Sequence, residues 1–321
     1  MDQQILFVRT HGWGGAVNDV RFQAQGAYDG MLNFLLYAIT VSIWGSTWLV
    51  ITFQLGTPVA TAVGWRFTLA SAILLGWCAI RRISLRFPLR AYGWIVAQGL
   101  ANFCLNYWMV YQAEARISSG LVAVVFSLLM VFNMIGGRIF FGQRIAPAGA
   151  AGASLGLIGV LLMFWPEVAG AGGGQRVYGI LFALGATLFS SCGNLLSVQN
   201  QKAGIPLIPA ITIGMGAGGL TMLAVGALSG DALAIPLTVD FLLPLLYLSL
   251  FGSVIAFAAY LSLIHRIGAG QASYANVLVP MVALALSSAF EGYLWRIASI
   301  AGLLVSLAGN LLVTRGKVKT T

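Results

Sequence analysis

Residues 260–314 read YLSLIHRIGAGQASYANVLVPMVALALSSAFEGYLWRIASIAGLLVSLAGNLLVT, two apolar runs joined at Phe290-Glu291-Gly292-Tyr293. Small residues recur in the second run at Gly302, Ser306 and Gly309. The same text stands 150 residues earlier without a gap: Arg116 matches Arg266, Ile117 matches Ile267, and Gly120 matches Gly270. Leu128 matches Leu278, Phe140 matches Phe290, and Ala151-Gly152 matches Ala301-Gly302. Leu157, Gly159, Leu161 and Leu162 match Leu307, Gly309, Leu311 and Leu312. Self-similarity at a fixed offset means that one structural unit has been duplicated.

Composition says what kind of unit it is. The chain is 59% hydrophobic and 8% charged, against roughly 25% charged in an ordinary soluble domain. So few charges cannot cover a water-facing surface, and the fold class is an all-α polytopic membrane protein. The excess of 17 Lys and Arg over 8 Asp and Glu is read as topology-setting charge in short loops, not as a nucleic-acid surface. Cys78, Cys104 and Cys192 fall inside apolar runs, without metal-ligand spacing or an exposed pair for a disulfide. No GxxxxGK[ST] occurs, so ATP is not the fuel. No cofactor and no metal are expected.

From Asn33 the chain reads as ten spans of about 20 residues, the length a helix needs to cross the hydrocarbon. They lie near 33–53, 60–80, 91–111, 118–138, 147–165, 177–198, 208–229, 241–264, 270–290 and 296–314. Residues 1–30 read as a disordered cytoplasmic tail, or as the product of an upstream start codon, and 315–321 as a basic cytoplasmic tail. The first repeat covers 31–168, the glycine-rich stretch 169–176 links the halves, and the second repeat covers 177–314. With the N-terminus inside, Arg9, Arg21, Arg81, Arg82, Arg86, Arg90, Arg138, Arg144, Lys202, Arg266, Arg315, Lys317 and Lys319 are cytoplasmic. Only Arg116, Arg176 and Arg296 fall in outer loops, an asymmetry that puts both termini in the cytoplasm. Five spans per copy is an odd number, so the second copy enters the membrane upside down. Span 1 echoes span 6 at offset 145, Ala38 with Ala183, Ser46 with Ser191 and Gln54 with Gln199. Inverted halves can exchange conformations at nearly equal energy, which is the logic of alternating access.

Trp44-Gly45-Ser46 in span 1, Pro58 and Arg66-Phe67 opening span 2, and the text from Tyr260 and Ala272 through Pro280 and Phe290-Glu291-Gly292-Tyr293 to Gly302 and Gly309 carry a resemblance. Over 33–314 the chain resembles the ten-span EamA-type branch of the drug/metabolite transporter superfamily. That resemblance implies two inverted five-helix halves around a central cavity, spans 5 and 10 at the periphery, and in many members export of amino acids and related metabolites. Repeat 1 departs from the family pattern, with Gln143 in place of a glutamate and Met130 in place of a proline. Repeat 2 has its acid at Glu291, two residues before the usual place, where Tyr293 stands.

Polar side chains inside spans are costly unless they face the bundle interior or water. Gln98, Asn102 and Asn106 form a stripe at spacing four, with Tyr107 and Tyr111 toward its outer end. Trp44 and Trp48 lie deeper than interfacial anchors such as Trp94 or Trp295, and line a cavity or merely pack. Asn194, Tyr260, Tyr274 and Asn276 extend the candidate substrate-binding set into the second half. Ser and Thr in these spans are read first as packing and back-bonded groups. Arg66 is the basic residue inside a span; it either snorkels to the interface or attracts an anionic group such as a carboxylate. Pro280 is the candidate helix break at midplane, or a simple kink. Gly149, Gly152, Gly156 and Gly159, with Gly302, Ser306 and Gly309, read as close helix packing without chemistry.

Glu114, Glu291 and His265 sit at span edges and are read as solvated, so a facilitator or exchanger is expected in place of a carboxylate-driven proton pump. The leading expectation is a plasma- or inner-membrane secondary transporter exporting small metabolites, most readily amino acids, aromatic or bulky apolar ones included. Its partners are the small-molecule substrate and lipid, not nucleic acid, and it is a monomer or a homodimer. Efflux of other amphipathic metabolites or drugs is the alternative within transport. A membrane-embedded enzyme would need clustered acids, His or a metal site, and a scaffold would leave the amide stripe without purpose. No catalytic residue is assigned.

Overall fold

A computed structural model describes residues 13–168, 173–272 and 275–315. The described residues are helices joined by short turns. They run α1 (Trp13–Thr52), α2 (Val59–Ile80), α3 (Leu89–Gly99), a π-helical segment (Leu100–Leu105), α4 (Asn106–Glu114), α5 (Ser119–Phe126), α6 (Leu129–Phe141) and α7 (Pro147–Val168). The chain continues through α8 (Gly173–Lys202), α9 (Leu207–Ser229), α10 (Val239–Leu246), a second π-helical segment (Tyr247–Ile255), α11 (Ala256–Ala272), α12 (Ala275–Phe290) and α13 (Ile297–Arg315).

Among the described residues, six stretches are long and apolar enough to cross a membrane: Gly30–Thr52, Val59–Ile80, Ser119–Phe141, Gly174–Lys202, Leu207–Ser229 and Val239–Tyr260. Pro147–Met163, Ala275–Phe290 and Ile297–Leu312 are shorter apolar helices. The chain is therefore a polytopic helical membrane protein. α1 already includes Trp13, inside the stretch expected to be a tail. Residues 1–12, 169–172 and 316–321, parts of the expected tails and linker, lie outside the described residues.

Local chemistry sets the boundaries. Pro58, Pro88 and Pro206 precede α2, α3 and α9, and Pro147 opens α7, positions where a missing N–H costs nothing. α6 and α12 end alike. Gly142 and Gly292, 150 residues apart, take φ of 64° and 69°, a left-handed conformation that glycine adopts without strain. The next amide then turns back: Gln143 N donates to Gly137 O at 3.2 Å and Tyr293 N to Ser287 O at 3.3 Å.

Packing between the halves is closest where side chains vanish. α7 lies against α13 along Gly152, Gly156 and Gly159 on one helix and Gly302, Ser306 and Gly309 on the other. A Cβ on Gly159 would stand 2.4 Å from Ser306 N, and one on Gly309 would stand 2.5 Å from Gly152 O. Gly149 instead faces Met134 Sδ on α6. α2 and α9 meet in the same manner, with Gly219 against Thr68 and Gly64. Backbones brought this close gain dispersion contacts that larger residues would block.

Helix irregularity is not where Pro280 suggested. α12 runs unbroken from Ala275 to Phe290 with Pro280 inside it. Proline removes the N–H that the Asn276 carbonyl would accept, one bond of the helix, without interrupting it among the described residues. The wide turns are instead the two π-helical segments, a form often found at functional sites.

Candidate functional site

The site is assembled around the second π segment. Its backbone widens at Gly252, whose carbonyl accepts the Trp44 Nε1–H bond from α1 at 3.3 Å. Ser253 Oγ donates to the Leu248 carbonyl, five residues back, at 2.9 Å. Gly45 follows Trp44 because α12 presses there: a Cβ would meet Val282 side-chain atoms at 2.6 Å. Ser46 Oγ lies 2.7 Å from the Tyr247 hydroxyl. Each residue of the Trp44-Gly45-Ser46 triplet thus ties α1 to the second half of the chain.

Arg66 reaches the same place from α2. Ser249 Oγ donates to its carbonyl at 3.0 Å, and a Cβ on Gly252 would lie 3.6 Å from its Nη2. The residue is 1% exposed, so snorkelling does not describe it. Its guanidinium carbon stands 4.5 Å from the Tyr107 ring centre and 5.1 Å from that of Phe67. The aromatic faces offer quadrupole attraction to the cation. Nε and Nη1 are nevertheless buried without a hydrogen-bond partner. The Tyr111 hydroxyl pairs with the guanidinium and donates to Gln54 Oε1 at 2.6 Å.

Trp44 carries the site into the second half, with ring centres 5.3 Å from Phe257 and 5.0 Å from Tyr260. The Tyr260 hydroxyl pairs with the Asn276 side chain. Trp48 packs on Phe126 at 5.2 Å. Trp44, Arg66, Tyr107, Tyr260 and Asn276 therefore belong to one contiguous group.

The amide stripe divides. Gln98 is buried and its Oε1 accepts from Asn200 Nδ2 at 2.7 Å, which ties the two amides together inside a helix contact and leaves Asn200 Oδ1 unpartnered. Asn106 Nδ2 donates back to the Asn102 carbonyl at 3.1 Å, leaving its Oδ1 unpartnered. Asn102 presses its side chain on Gly193, where a Cβ would come within 2.3 Å, and Asn194 beside it is half-buried. Tyr274 lies outside the described residues.

A second polar group stands at the end of the bundle that bears the 115–118 and 291–296 turns. Glu114, read from sequence as a solvated edge charge, is 6% exposed. The tertiary fold buries it by packing α4 against α8, α2 and α1. Glu291 accepts from Ser119 N at 3.2 Å and from Ser119 Oγ at 2.5 Å, joining the second half to the start of α5. Sequence reasoning also missed Gln54, Asn200 and the π widening. Only the Gly252–Ser253 pair hinted at the last, being small and polar within an apolar run.

Comparison with known proteins places this architecture. The profile of the EamA-like transporter family matches residues 31–165 and again 177–315. The inner membrane transporter YedA of Escherichia coli (strain K12) is 29% identical over 291 residues, covering 88% of this chain and 90% of YedA. A protein of the same organism named as a probable amino-acid metabolite efflux pump is 26% identical over 281 residues, covering 80% and 85%. A solved crystal structure shares the fold, with a TM-score of 0.64 at 18% identity over 87% of this chain and 95% of that one. The relatives bear the names of transporters and pumps, not of enzymes. Matched over both halves, the chain belongs to the EamA-like transporter family.

Proposed function

We propose that the protein is an inner-membrane exporter of small metabolites, amino acids foremost, working by alternating access around Arg66, Trp44 and Tyr107. The observation that carries this reading is Arg66: a buried guanidinium with two unpartnered nitrogens, set on an aromatic face. Buried guanidinium nitrogens without partners are costly, and a substrate carboxylate would satisfy them with charge-assisted hydrogen bonds. Trp44, Tyr260 and Phe257 supply apolar surface beside it, suited to a bulky or aromatic side chain. The efflux-pump name of one relative supports the same substrate class.

The architecture we infer is ten spans in two inverted repeats, 31–168 and 177–314, joined by 169–176. Three observations support it: the matching glycine ends of α6 and α12, the direct packing of α7 on α13 and of α2 on α9, and one π segment in each half. Both termini are cytoplasmic in this reading, so Glu114, Arg116, Arg176, Glu291 and Arg296 stand at the outer face. Asn102, Asn106, Asn194 and Trp48 complete the proposed pathway, with Gln98 as its structural neighbour.

A thermal-shift and uptake screen of amino acids on purified protein tests the reading. Amino acids should stabilise the wild type, and Arg66→Gln should abolish that response while remaining folded. Stabilisation by amphipathic compounds lacking a carboxylate, unchanged in Arg66→Gln, would favour general efflux and sink the amino-acid assignment.

A further inference from the structure

The outer end holds a cavity of about 470 Å³ that the proposed substrate site does not use. Glu114, Ser118, Arg116, Arg176, Glu291, Tyr293 and Arg296 contribute to its wall. Glu114 is 6% exposed, and both of its carboxyl oxygens are buried without a hydrogen-bond partner. Ser118 Oγ beside it is likewise buried and unpartnered. A carboxylate in such a place forfeits hydration without compensation, and the inexpensive remedy is to neutralise it with a proton.

The surrounding charges decide whether anything else could neutralise it. Arg116, in the turn after α4, is committed elsewhere: Nη1 donates to Gln112 O at 2.6 Å and to Gln112 Oε1 at 2.9 Å, and the guanidinium sits over Phe182. Arg66 on α2 acts on Glu114 through space, but no hydrogen bond joins them. Glu291, from the turn after α12, adds a like charge. Arg176 on α8 and Arg296 before α13 complete the charged wall, and Tyr111 on α4 is held by Gln54 of α1. Glu114 lies three residues beyond the expected span 91–111, and burial followed by the Glu291 charge pushes its carboxyl well above the usual range, against the pull of Arg66.

We propose that Glu114 is a proton-binding site tied to the outer gate. Its carboxyl takes a proton from the outer water as the Glu291–Ser119 contact closes the halves together, and returns it there on opening. The proton enters and leaves on one side, so gating depends on outer pH while flux still needs no pH gradient. This goes beyond the transport reading but rests on its orientation for the word outer.

Infrared spectroscopy of the full-length protein in proteoliposomes reads the site directly, since a protonated carboxyl and a carboxylate absorb separately. The wild type should show a protonated-carboxyl band that persists above the ordinary carboxylate range and that Glu114→Gln loses. In Glu291→Gln that band should titrate at lower pH, because the like charge has gone. Wild-type and Glu114→Gln spectra that coincide from mildly acid to mildly alkaline pH would overturn the proposal. Should Glu114→Gln fail to fold, equal midpoints in wild type and Glu291→Gln would overturn it too. No substrate is added, so a wrong substrate class leaves this result untouched.

Discussion

The seam between α7 and α13 and the junction of α1, α2 and the second π segment both join the first half to the second, by opposite means. The seam has almost no side chains: Gly159 and Gly302 leave room for backbone alone. The junction is built from Trp44, Arg66, Tyr247 and Tyr260, with hydrogen bonds to a widened backbone and two guanidinium nitrogens left unpartnered. A dry glycine seam has one tight arrangement and resists separation. A junction with unmet polar groups gains something from a ligand or from rearranging. On the proposed reading, stability rests on the first contact and substrate binding on the second.

Breaking the seam should have the largest effect. Gly302→Leu would drive a side chain into Gly159 O and Met163 N, which a Cβ already approaches at 2.5 and 2.7 Å. Overpacking of this kind costs about 1–3 kcal/mol or more, and no flexible side chain can yield. Size-exclusion profiles in detergent should show lost monodisperse protein; an unchanged profile would refute the seam's role.

At the junction the expected effects are on substrate. Arg66→Gln removes charge-assisted bonds worth about 1.5–3 kcal/mol, tenfold or more in affinity, with little loss of melting temperature because two unpartnered buried nitrogens go too. Trp44→Phe leaves a smaller aromatic ring and removes the bond to Gly252 O, worth about 0.5–1.5 kcal/mol, a several-fold rise in the half-saturating concentration in an efflux assay. Equal transport by Trp44→Phe and wild type would show that this bond does not hold the site.

The smallest effect is the pH dependence of closure. The raised Glu114 carboxyl keeps its proton in the closed form at pH values where the open form has lost it. Closure is therefore favoured below the ordinary carboxylate range's upper end and loses its advantage as pH rises through the raised value. Solvent accessibility of the 291–296 turn, followed by hydrogen exchange, should rise with pH in the wild type and stay flat in Glu114→Gln.

The membrane class, the duplication and the glycine seam were legible in the sequence, because composition, offset and small-residue spacing are local or periodic signals. Trp44, Arg66 and Tyr107 were nominated as costly polar or aromatic groups within spans, and the fold gathers them. The rest depends on tertiary contacts that no pattern encodes. Gln98 found Asn200, 102 residues away, and became structural. Glu114 looked solvated from its place at a span end, yet neighbouring helices cover it. Pro280 has the look of a break in mid-span, but the helix is continuous through it from Ala275 to Phe290.

The central claim is that Arg66 receives the substrate's carboxylate, and amino-acid binding to purified wild type and Arg66→Gln measures it most directly. Calorimetric titration with a bulky apolar amino acid, its methyl ester serving as the carboxylate-free control, should give binding to the wild type that falls tenfold or more for either the variant or the ester. The variant should lose its preference for the acid over the ester. Equal affinity of both proteins for both ligands would contradict the account.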